Sequence, residues 1–253
     1  MGKKTVITAR EAVMMIKDGE TLAISSFLSY GLPETLCKAL GERYAETKSP
    51  KNLTLFMSAP VGVNDGSGVE HLAQEGLFRR VYAAHLNLHP TMGEMAVDGV
   101  FEAYNLPQGV MSRMCREMAA HSPGIFTHIG LHTFADPRIE GCKINARTTE
   151  DIVEVVEISG REYLHYKPIP MDVAFIRGSY ADEMGNVSVE HEGVSIDILA
   201  LAQAVHNNGG KVIVQVERIV PAGSLDPWKV KIPGMLVDSL VLPDDPEDQV
   251  QSR

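Results

Sequence analysis

The stretch TLAISSFLSYGLPETL, residues 21–36, decides the fold. Its first residues predict a buried strand that runs from Thr21 to about Ser25, since they are mostly apolar. A loop of small residues follows, and Pro33, a residue type favoured at first helical positions, predicts a helix that reaches about Tyr44. A strand, a short loop and a helix in this order form one unit of an α/β fold.

The same alternation continues along most of the chain. Apolar runs predict strands at 53–57, 81–84, 101–104, 125–129, 173–177, 187–190 and 212–216. Helical periodicity and end signals predict helices after a capping box at Thr8, and at 69–76, 92–97, 108–122 and 196–205. Residues 153–158 and 162–166 predict a hairpin that turns at Ser159-Gly160. We therefore expect a three-layer α/β domain, a mostly parallel sheet with helices on both faces.

The last part of the sequence differs in composition. After the apolar run that ends at Leu242 comes PDDPEDQVQSR, an acidic segment broken by prolines. Such a composition buries little apolar surface and is typical of a linker. We expect one domain at residues 1–242 and an acidic linker or tail at residues 243–253.

Composition excludes several classes of partner. The formal net charge is -10 and the 23 Lys and Arg residues are scattered, so we expect no nucleic-acid partner. No apolar run approaches the length of a membrane helix, so we expect no membrane partner. Three widely spaced cysteines indicate reduced thiols, and no apolar segment follows Lys3 and Lys4 as in a signal peptide. These features predict a cytoplasmic protein.

The loop Ser25–Gly31 is the first candidate for ligand binding. Ligands of open parallel sheets bind beyond the carboxyl ends of the strands, where this loop is predicted. Its small residues would let a ligand approach the backbone, and the helix that begins at Pro33 would present free N–H groups to an anion. The residues alone favour the alternative, an ordinary strand-to-helix turn without a ligand.

Gln108 is the second candidate. It follows Pro107 at a predicted helix start, where its amide could donate to a carboxylate or thioester oxygen. The alternative is a helix-start residue bonded to the backbone, and spacing alone favours this alternative.

Two other groups of residues invite chemical interpretations. Glu190 and Glu192 flank His191, as acid-base chemistry would require, but we favour a solvated or structural acidic cluster. His85, His89 and His132 lack an acidic ligand at a diagnostic spacing, so we predict polar histidines with satisfied hydrogen bonds near a pocket, and no metal site. The glycines of residues 62–68 do not form a dinucleotide-binding fingerprint.

The loop resembles the signature of family I CoA-transferases, in which an apolar strand precedes Gly-Gly-Phe, three residues, Gly, any residue and Pro. This chain has Ser25-Ser26 in place of the two glycines and keeps Phe27, Gly31 and Pro33 in register. Further matches follow in the family's order: Pro107-Gln108-Gly109, Gly124, the Gly130 loop, Ala181-Asp182, Gly185-Asn186 and residues 202–211.

The resemblance is closest to the acetate/propionate type and implies a fold of the NagB/RpiA-like superfamily. In that family two halves are fused in one chain or split into α and β subunits, and this chain looks like the amino-terminal half or α subunit. The family moves CoA between a short-chain acyl-CoA and a carboxylate through a glutamyl-CoA intermediate. The nucleophilic glutamate belongs to the second half, so we expect no catalytic residue here and no activity without that half.

The resemblance also implies a set of substrate-binding residues in the first half, which shapes the acyl pocket: Ser25, Ser26, Phe27, Gly31, Gln108, Gly109, Gly130 and His132. CoA enters as a substrate, and no further cofactor is expected. The implied partners are an acyl-CoA, a short-chain carboxylate and a complementary β-type half, in an oligomer. A non-catalytic acyl-CoA- or carboxylate-binding module, a truncated remnant, and the α subunit of an acyl-exchanging lyase stay open as alternatives.

Overall fold

The computed structural model of the chain describes residues 2–249. Within that range the helices are α1 (Ala9–Met14), α2 (Glu34–Thr47), α3 (Pro90–Val97), α4 (Gln108–Ala119) and α5 (Ile198–Asn207). The strands are β1 (Thr5–Ile7), β2 (Thr21–Ile24), β3 (Leu53–Met57), β4 (Phe78–Ala83), β5 (Glu102–Asn105), β6 (Ile125–Thr127), β7 (Val153–Ile158), β8 (Arg161–Tyr166), β9 (Val173–Asp182), β10 (Val187–Ser188), β11 (Lys211–Val220), β12 (Val230–Ile232) and β13 (Ser239–Val241).

The main sheet is parallel along the order β1-β13-β11-β9-β2-β3-β4-β5. At one end of β9, the short strand β10 pairs antiparallel with β9 and β12. A smaller antiparallel sheet has the order β6-β8-β7. Because β2, β3, β4 and β5 are parallel neighbours, the loops that follow them emerge at the same edge of the sheet.

Helices cover both faces of the main sheet. On one face α1, α2 and α3 pack over a buried apolar cluster that includes Leu36, Leu40 and Met92. On the other face α4 and α5 pack over a second cluster that includes Met111 and Leu201. This three-layer arrangement confirms the predicted α/β fold with a mostly parallel sheet.

Local sequence signals explain where several elements begin. The Thr8 Oγ1 atom accepts a hydrogen bond from the Glu11 N–H at 3.1 Å, and the Glu11 carboxylate accepts one from the Thr8 N–H at 2.9 Å. This is the predicted capping box, which satisfies two N–H groups at the start of α1. In α4 the buried residues are Val110, Met111, Met114, Cys115 and Met118, the apolar face that the sequence predicts.

The predicted hairpin is also present. Strands β7 and β8 pair antiparallel, and the turn between them places Ser159 at φ 52° and Gly160 at φ 74°. Positive φ at both central residues is the geometry whose twist matches that of paired strands. β6 adds to this hairpin along β8, so the region from 125 to 166 is a β-rich insertion.

Some element predictions were wrong. The helix predicted at 69–76 is a short 3-10 helix at Gly68–Leu72. Strands β9 and β11 run for ten residues each, whereas the sequence predicted about half that length. Both strands continue past the parallel sheet as a paired ribbon, where Tyr180 lies beside Arg218. Strands β1 and β12, of three residues each, were not predicted.

The segment after Leu242 packs on the domain as far as the structure describes it. Residues Pro246–Gln249 form a 3-10 helix, and Asp248 is buried. The Asp248 carboxylate accepts a hydrogen bond from Thr35 Oγ1 at 2.8 Å and forms an ion pair with Lys38 of α2. Residues 250–253 of the predicted tail lie outside the described residues.

Across residues 2–249, every helix falls short of the length and apolar character that crossing a membrane would require.

Candidate functional site

The loop from Ser25 to Gly31 lies at the carboxyl end of β2, as predicted. It folds back on itself in a tight turn, since the N–H of Phe27 donates to the Tyr30 carbonyl at 2.9 Å and the N–H of Tyr30 donates back at 3.0 Å. Leu28 at φ 60° and Gly31 at φ 66° take left-handed conformations that make the turn possible. The Phe27 side chain stays 37% exposed at the surface of the loop.

Ser25 and Ser26 are both buried but have different surroundings. The Ser26 hydroxyl donates to the Leu28 carbonyl at 2.7 Å, within the turn. The Ser25 Oγ atom has no hydrogen-bond partner among residues 2–249. Neither serine has a positive φ, so serine fits at both positions without backbone strain.

A second loop, which follows β3, holds the first one in place. The Leu28 N–H donates to the Pro60 carbonyl at 2.8 Å, and the Gly62 N–H donates to the Leu28 carbonyl at 3.1 Å. The second loop in turn depends on Gly68, where a Cβ atom would lie 2.0 Å from the Val61 carbonyl oxygen. Backbone hydrogen bonds therefore hold the two loops together at the carboxyl ends of β2 and β3.

A buried ion pair anchors the end of the Ser25–Gly31 loop. Arg177 of β9 is 1% exposed, and its Nε and Nη2 atoms each lie 3.0 Å from a Glu192 oxygen. The Arg177 Nη1 atom donates to the Leu32 carbonyl at 3.0 Å. Glu192 therefore has a structural role, and Glu190 beside it is exposed, which favours the structural interpretation of this acidic cluster.

A cavity of about 270 Å³ lies next to this loop on the α2 side. Its lining includes Ser29 of the loop and Leu32, which follows the loop, together with charged side chains. Two pairs of these side chains are in contact: Glu34 lies 2.6 Å from His71 Nε2, and Lys38 pairs with Asp248. A ligand here would compete with existing ion pairs.

Gln108 and Gly109 begin α4 at the carboxyl end of β5, and both are exposed. One turn further along α4, Ser112 Oγ donates to Asp197 Oδ1 at 2.6 Å. Ser58, the residue that follows β3, donates to Asp197 Oδ2 at 2.9 Å. Asp197 thus ties the first turns of α4 to the end of β3, which places Gln108 at the same sheet edge as the Ser25 loop.

Gly130 and His132 belong to another part of the molecule. They lie in the loop after β6, beside the antiparallel sheet, where a Cβ atom on Gly130 would lie 2.3 Å from the Tyr166 hydroxyl. The exposed His132 donates its N–H to Asp136 Oδ2 at 2.9 Å. Hydrogen bonds from Arg138 hold the pKa of Asp136 well below its usual range. The described contacts of this loop are structural and connect it to the insertion.

Two polar residues at strand ends, Ser58 and Asn105, were not singled out in the sequence. His85 follows β4 and Asn105 ends β5, and the two line a cavity together with His89. His89 is completely buried, and neither of its ring nitrogens has a hydrogen-bond partner among residues 2–249. His85 and His89 thus line a cavity, as predicted, but the His85 Nδ1 atom and both His89 ring nitrogens have no hydrogen-bond partner among residues 2–249, whereas His132 is not among the lining residues. Ser58 and Asn105 directly follow the predicted strands 53–57 and 101–104, and this position is the signal that indicates them.

Within residues 2–249, no group of three or more His, Cys, Asp or Glu side chains is arranged to hold a metal ion.

The chain is similar in sequence to proteins named as CoA-transferases. Acetate CoA-transferase YdiF of Escherichia coli K12 is 42% identical over 252 residues, which are 99% of this chain and 47% of that protein. Caffeate CoA-transferase of Acetobacterium woodii is 43% identical over 94% of this chain and 46% of that protein. Acetate CoA-transferase subunit alpha of E. coli K12 is 24% identical over 95% of this chain and 97% of that protein.

Structure comparison agrees. The crystal structure of the acyl-CoA transferase YdiF from E. coli O157:H7, as a thioester complex with CoA, superimposes with a TM-score of 0.93 and 41% identity. The match covers 96% of this chain and 48% of that chain, so this chain spans about half the length of the first curated relatives it matches. The family model described as Coenzyme A transferase matches residues 6–242. The chain therefore belongs to the family I CoA-transferases and resembles their amino-terminal half.

Proposed function

We propose that this chain is the amino-terminal half or α-type subunit of an enzyme that moves CoA between a short-chain acyl-CoA and a carboxylate. One observation carries the proposal: the chain covers 47% of the longer relative YdiF but 97% of a relative named as an α subunit. A complementary β-type half would then complete the enzyme, in a cytoplasmic oligomer. We assign residues 1–242 to the transferase domain and the residues from 243 to a tail.

In the proposed reaction the nucleophile is a glutamate of the complementary half. Its carboxylate attacks the acyl-CoA thioester, forms a mixed anhydride and releases the CoA thiolate. The thiolate then attacks the glutamyl carbonyl, which gives a glutamyl-CoA thioester and releases the first carboxylate. An acceptor carboxylate reverses these steps and leaves as the new acyl-CoA. Splitting one exchange in this way replaces a difficult step by easier ones.

This chain would hold the acyl end and stabilise the charge that develops on its oxygen. Ser25 Oγ is buried without a partner among the described residues, and the Gln108 amide is exposed at the start of α4. Both groups can donate a hydrogen bond at the sheet edge, where a tetrahedral oxyanion would need it. Phe27, Gly31 and Gly109 would shape the pocket around them. Gly130 and His132 would contribute from the insertion only if the ligand extended that far.

The test is reconstitution with propionate and acetyl-CoA. We expect no propionyl-CoA from the purified 253-residue chain alone, and exchange after addition of the carboxyl-terminal half of a 42%-identical relative. Borohydride reduction during turnover should modify a glutamate of the added half. Turnover by the single chain, or a trapped residue in this chain, would overturn the proposal.

Matched variants test the role of Gln108. In the reconstituted enzyme, Gln108→Ala should lower kcat/KM about 100-fold, as removal of an oxyanion donor does elsewhere. Gln203→Ala, on the exposed surface of α5, should leave kcat/KM unchanged.

The class of acyl group is tested with caffeate as an alternative acceptor. We expect the reconstituted enzyme to prefer propionate to caffeate.

A further inference from the structure

Asp197, the last residue before α5, bonds to other elements instead of capping the helix that it precedes. An aspartate at this position ordinarily accepts hydrogen bonds from the first N–H groups of its helix. Within the part of the chain that the structure describes, the Asp197 side chain makes no such bond. Its buried carboxylate accepts hydrogen bonds from Ser112 Oγ at 2.6 Å and from Ser58 Oγ at 2.9 Å. The carboxylate therefore serves a contact between two other elements.

The two hydroxyl groups belong to elements that the sheet keeps apart. Ser58 follows β3, whereas Ser112 is in α4, which follows β5, and β4 lies between these two strands. Neighbouring strands are about 4.8 Å apart, so the ends of β3 and β5 are separated by roughly 10 Å. The Asp197 carboxylate bridges the two elements, because each of its oxygens holds one hydroxyl group. It thereby fixes the first turns of α4 relative to the end of β3.

The face of α4 that Asp197 holds is also the face that carries Gln108. Residues four apart in a helix are neighbours on its surface, so Gln108 and Ser112 share one face of α4. Ser112 is half-buried against Asp197, and Gln108, one turn earlier, is exposed. Helical side chains lean toward the start of their helix, which for α4 is the edge of the sheet. The bond between Ser112 and Asp197 therefore restrains the turn from which the Gln108 amide extends.

The segment that leads to Asp197 also packs on the Ser25–Gly31 loop. A Cβ atom on Gly193 would lie 2.4 Å from the Cδ1 atom of the Tyr30 ring, so the backbone at this glycine lies against the loop. A second connection runs through Ser58, because the loop after β3 that begins with this residue bonds to the Ser25–Gly31 loop. Asp197 is thus connected to this loop on one side and to α4 on the other.

We propose that Asp197 is a positioning residue of the acyl pocket: its carboxylate sets the distance between the Gln108 amide and the Ser25–Gly31 loop. This inference rests on the proposed function, in which Gln108 donates a hydrogen bond to the developing oxyanion. Asp197 acts through the hydroxyl groups that it holds and does not itself touch the substrate. Displacing a reacting or donating group by about 1 Å can lower a rate about 100-fold, so a carboxylate remote from the reacting atoms can affect turnover.

A double-mutant cycle in the reconstituted enzyme tests whether Asp197 acts through Gln108. Asp197→Ala should lower kcat about tenfold and change KM little, because an oxyanion donor stabilises the transition state and not the bound substrate. In the Gln108→Ala background the same change should lower kcat less than about twofold, since the donor is already absent. Asp197→Asn should restore most of kcat, because its amide can bond to both hydroxyl groups. Equal losses of kcat in the two backgrounds would overturn the proposal.

A measurement on the full chain alone separates this inference from the transfer reaction. With ¹⁵N in the glutamine side chains, the amide signals of Gln108 are identified by their absence in Gln108→Ala. These signals should shift in Asp197→Ala, or in Ser58→Ala if the first variant fails to fold. Unshifted Gln108 signals would overturn the proposal.

Tyr44→Phe is the matched control for both measurements. It also removes one hydrogen bond, from the Tyr44 hydroxyl to the Glu75 carbonyl at 2.8 Å, but on the α2 side of the sheet. The Gln108 signals and kcat should therefore stay as in the parent chain. A reconstituted parent enzyme that transfers no CoA would overturn the proposed function, whereas the Gln108 signals decide by themselves whether Asp197 positions this amide.

Discussion

Ser25 and Ser26 are neighbours in the chain, yet their hydroxyl groups have different tasks. Ser26 closes the turn, because its hydroxyl lies 2.7 Å from the Leu28 carbonyl and 3.2 Å from that of Tyr30. Ser25 leaves its oxygen unpartnered among the described residues, at the end of β2. A buried hydroxyl without a protein partner reduces stability and is useful only if something binds to it.

Alanine at each position should separate the two tasks. Ser26→Ala should lower the free energy of unfolding by about 1 kcal/mol, because a hydrogen bond inside the turn is lost. Ser25→Ala should leave that free energy unchanged or slightly raise it, but weaken acyl transfer in the reconstituted enzyme. Urea unfolding monitored by circular dichroism measures the first effect, and steady-state kinetics the second. The assignment fails if Ser25→Ala is the more destabilising change.

At the scale of elements, the site depends on how closely two loops approach each other. The loop after β2 and the loop after β3 exchange hydrogen bonds between Leu28 and both Pro60 and Gly62. The second loop closes on itself through the Val69 N–H, which donates to the Val61 carbonyl at 3.0 Å. That contact brings the backbone at Gly68 against the backbone at Val61, with no room for a side chain.

Two glycine variants test this close approach. Gly68→Ala should destabilise the chain by at least about 2 kcal/mol, because its Cβ would lie 2.0 Å from a backbone oxygen and the loop would have to move. Gly66→Ala meets nothing within 4 Å, so it should cost only about 1 kcal/mol for its positive φ. Thermal unfolding of both variants gives the comparison. Similar losses would show that the loop tolerates a side chain at Gly68.

Elements with strong local signals were predictable from the sequence, and those fixed by distant contacts were not. The apolar face of α4 and the turn at Ser159-Gly160 are encoded in a few consecutive residues. The ten-residue length of β9 is not encoded locally. Its second half contains both polar and apolar residues, and pairing with β11 stabilises it. The sequence placed Gln108 at a helix start, but its position at the sheet edge depends on the contact between Ser112 and Asp197.

At the scale of the whole molecule, the three cysteines lie in both halves of the core. Cys37 is in the cluster under α1, α2 and α3, whereas Cys115 and Cys142 are in the cluster under α4 and α5. Burial raises the pKa of all three thiols, and that of Cys142 to about 12. Each thiol therefore stays neutral in the folded chain at pH values where it ionises in the unfolded chain.

This difference predicts how stability changes with pH. The folded pKa of Cys142 is raised, so its contribution is complete below the unfolded pKa of about 8.5 and decreases as pH rises above it. Between pH 7.5 and 9.5 the parent chain should lose about 1.4 kcal/mol more than the Cys142→Ala variant does. Urea unfolding at the two pH values, with a reducing agent present, measures that difference. An equal loss in both proteins would contradict the prediction.

The two outermost strands of the main sheet, β1 and β5, affect how the chain behaves at high concentration. Along β5, the N–H of Asn105 donates to the Cys142 carbonyl at 2.8 Å and the N–H of Ala103 donates to Thr148 Oγ1 at 2.8 Å. At the opposite edge, β1 is only three residues long and follows Lys3 and Lys4. Protected or short, charged edges give a strand of another molecule little to pair with. The chain should therefore resist fibril formation, and its self-association should involve side-chain surfaces instead of an extended sheet.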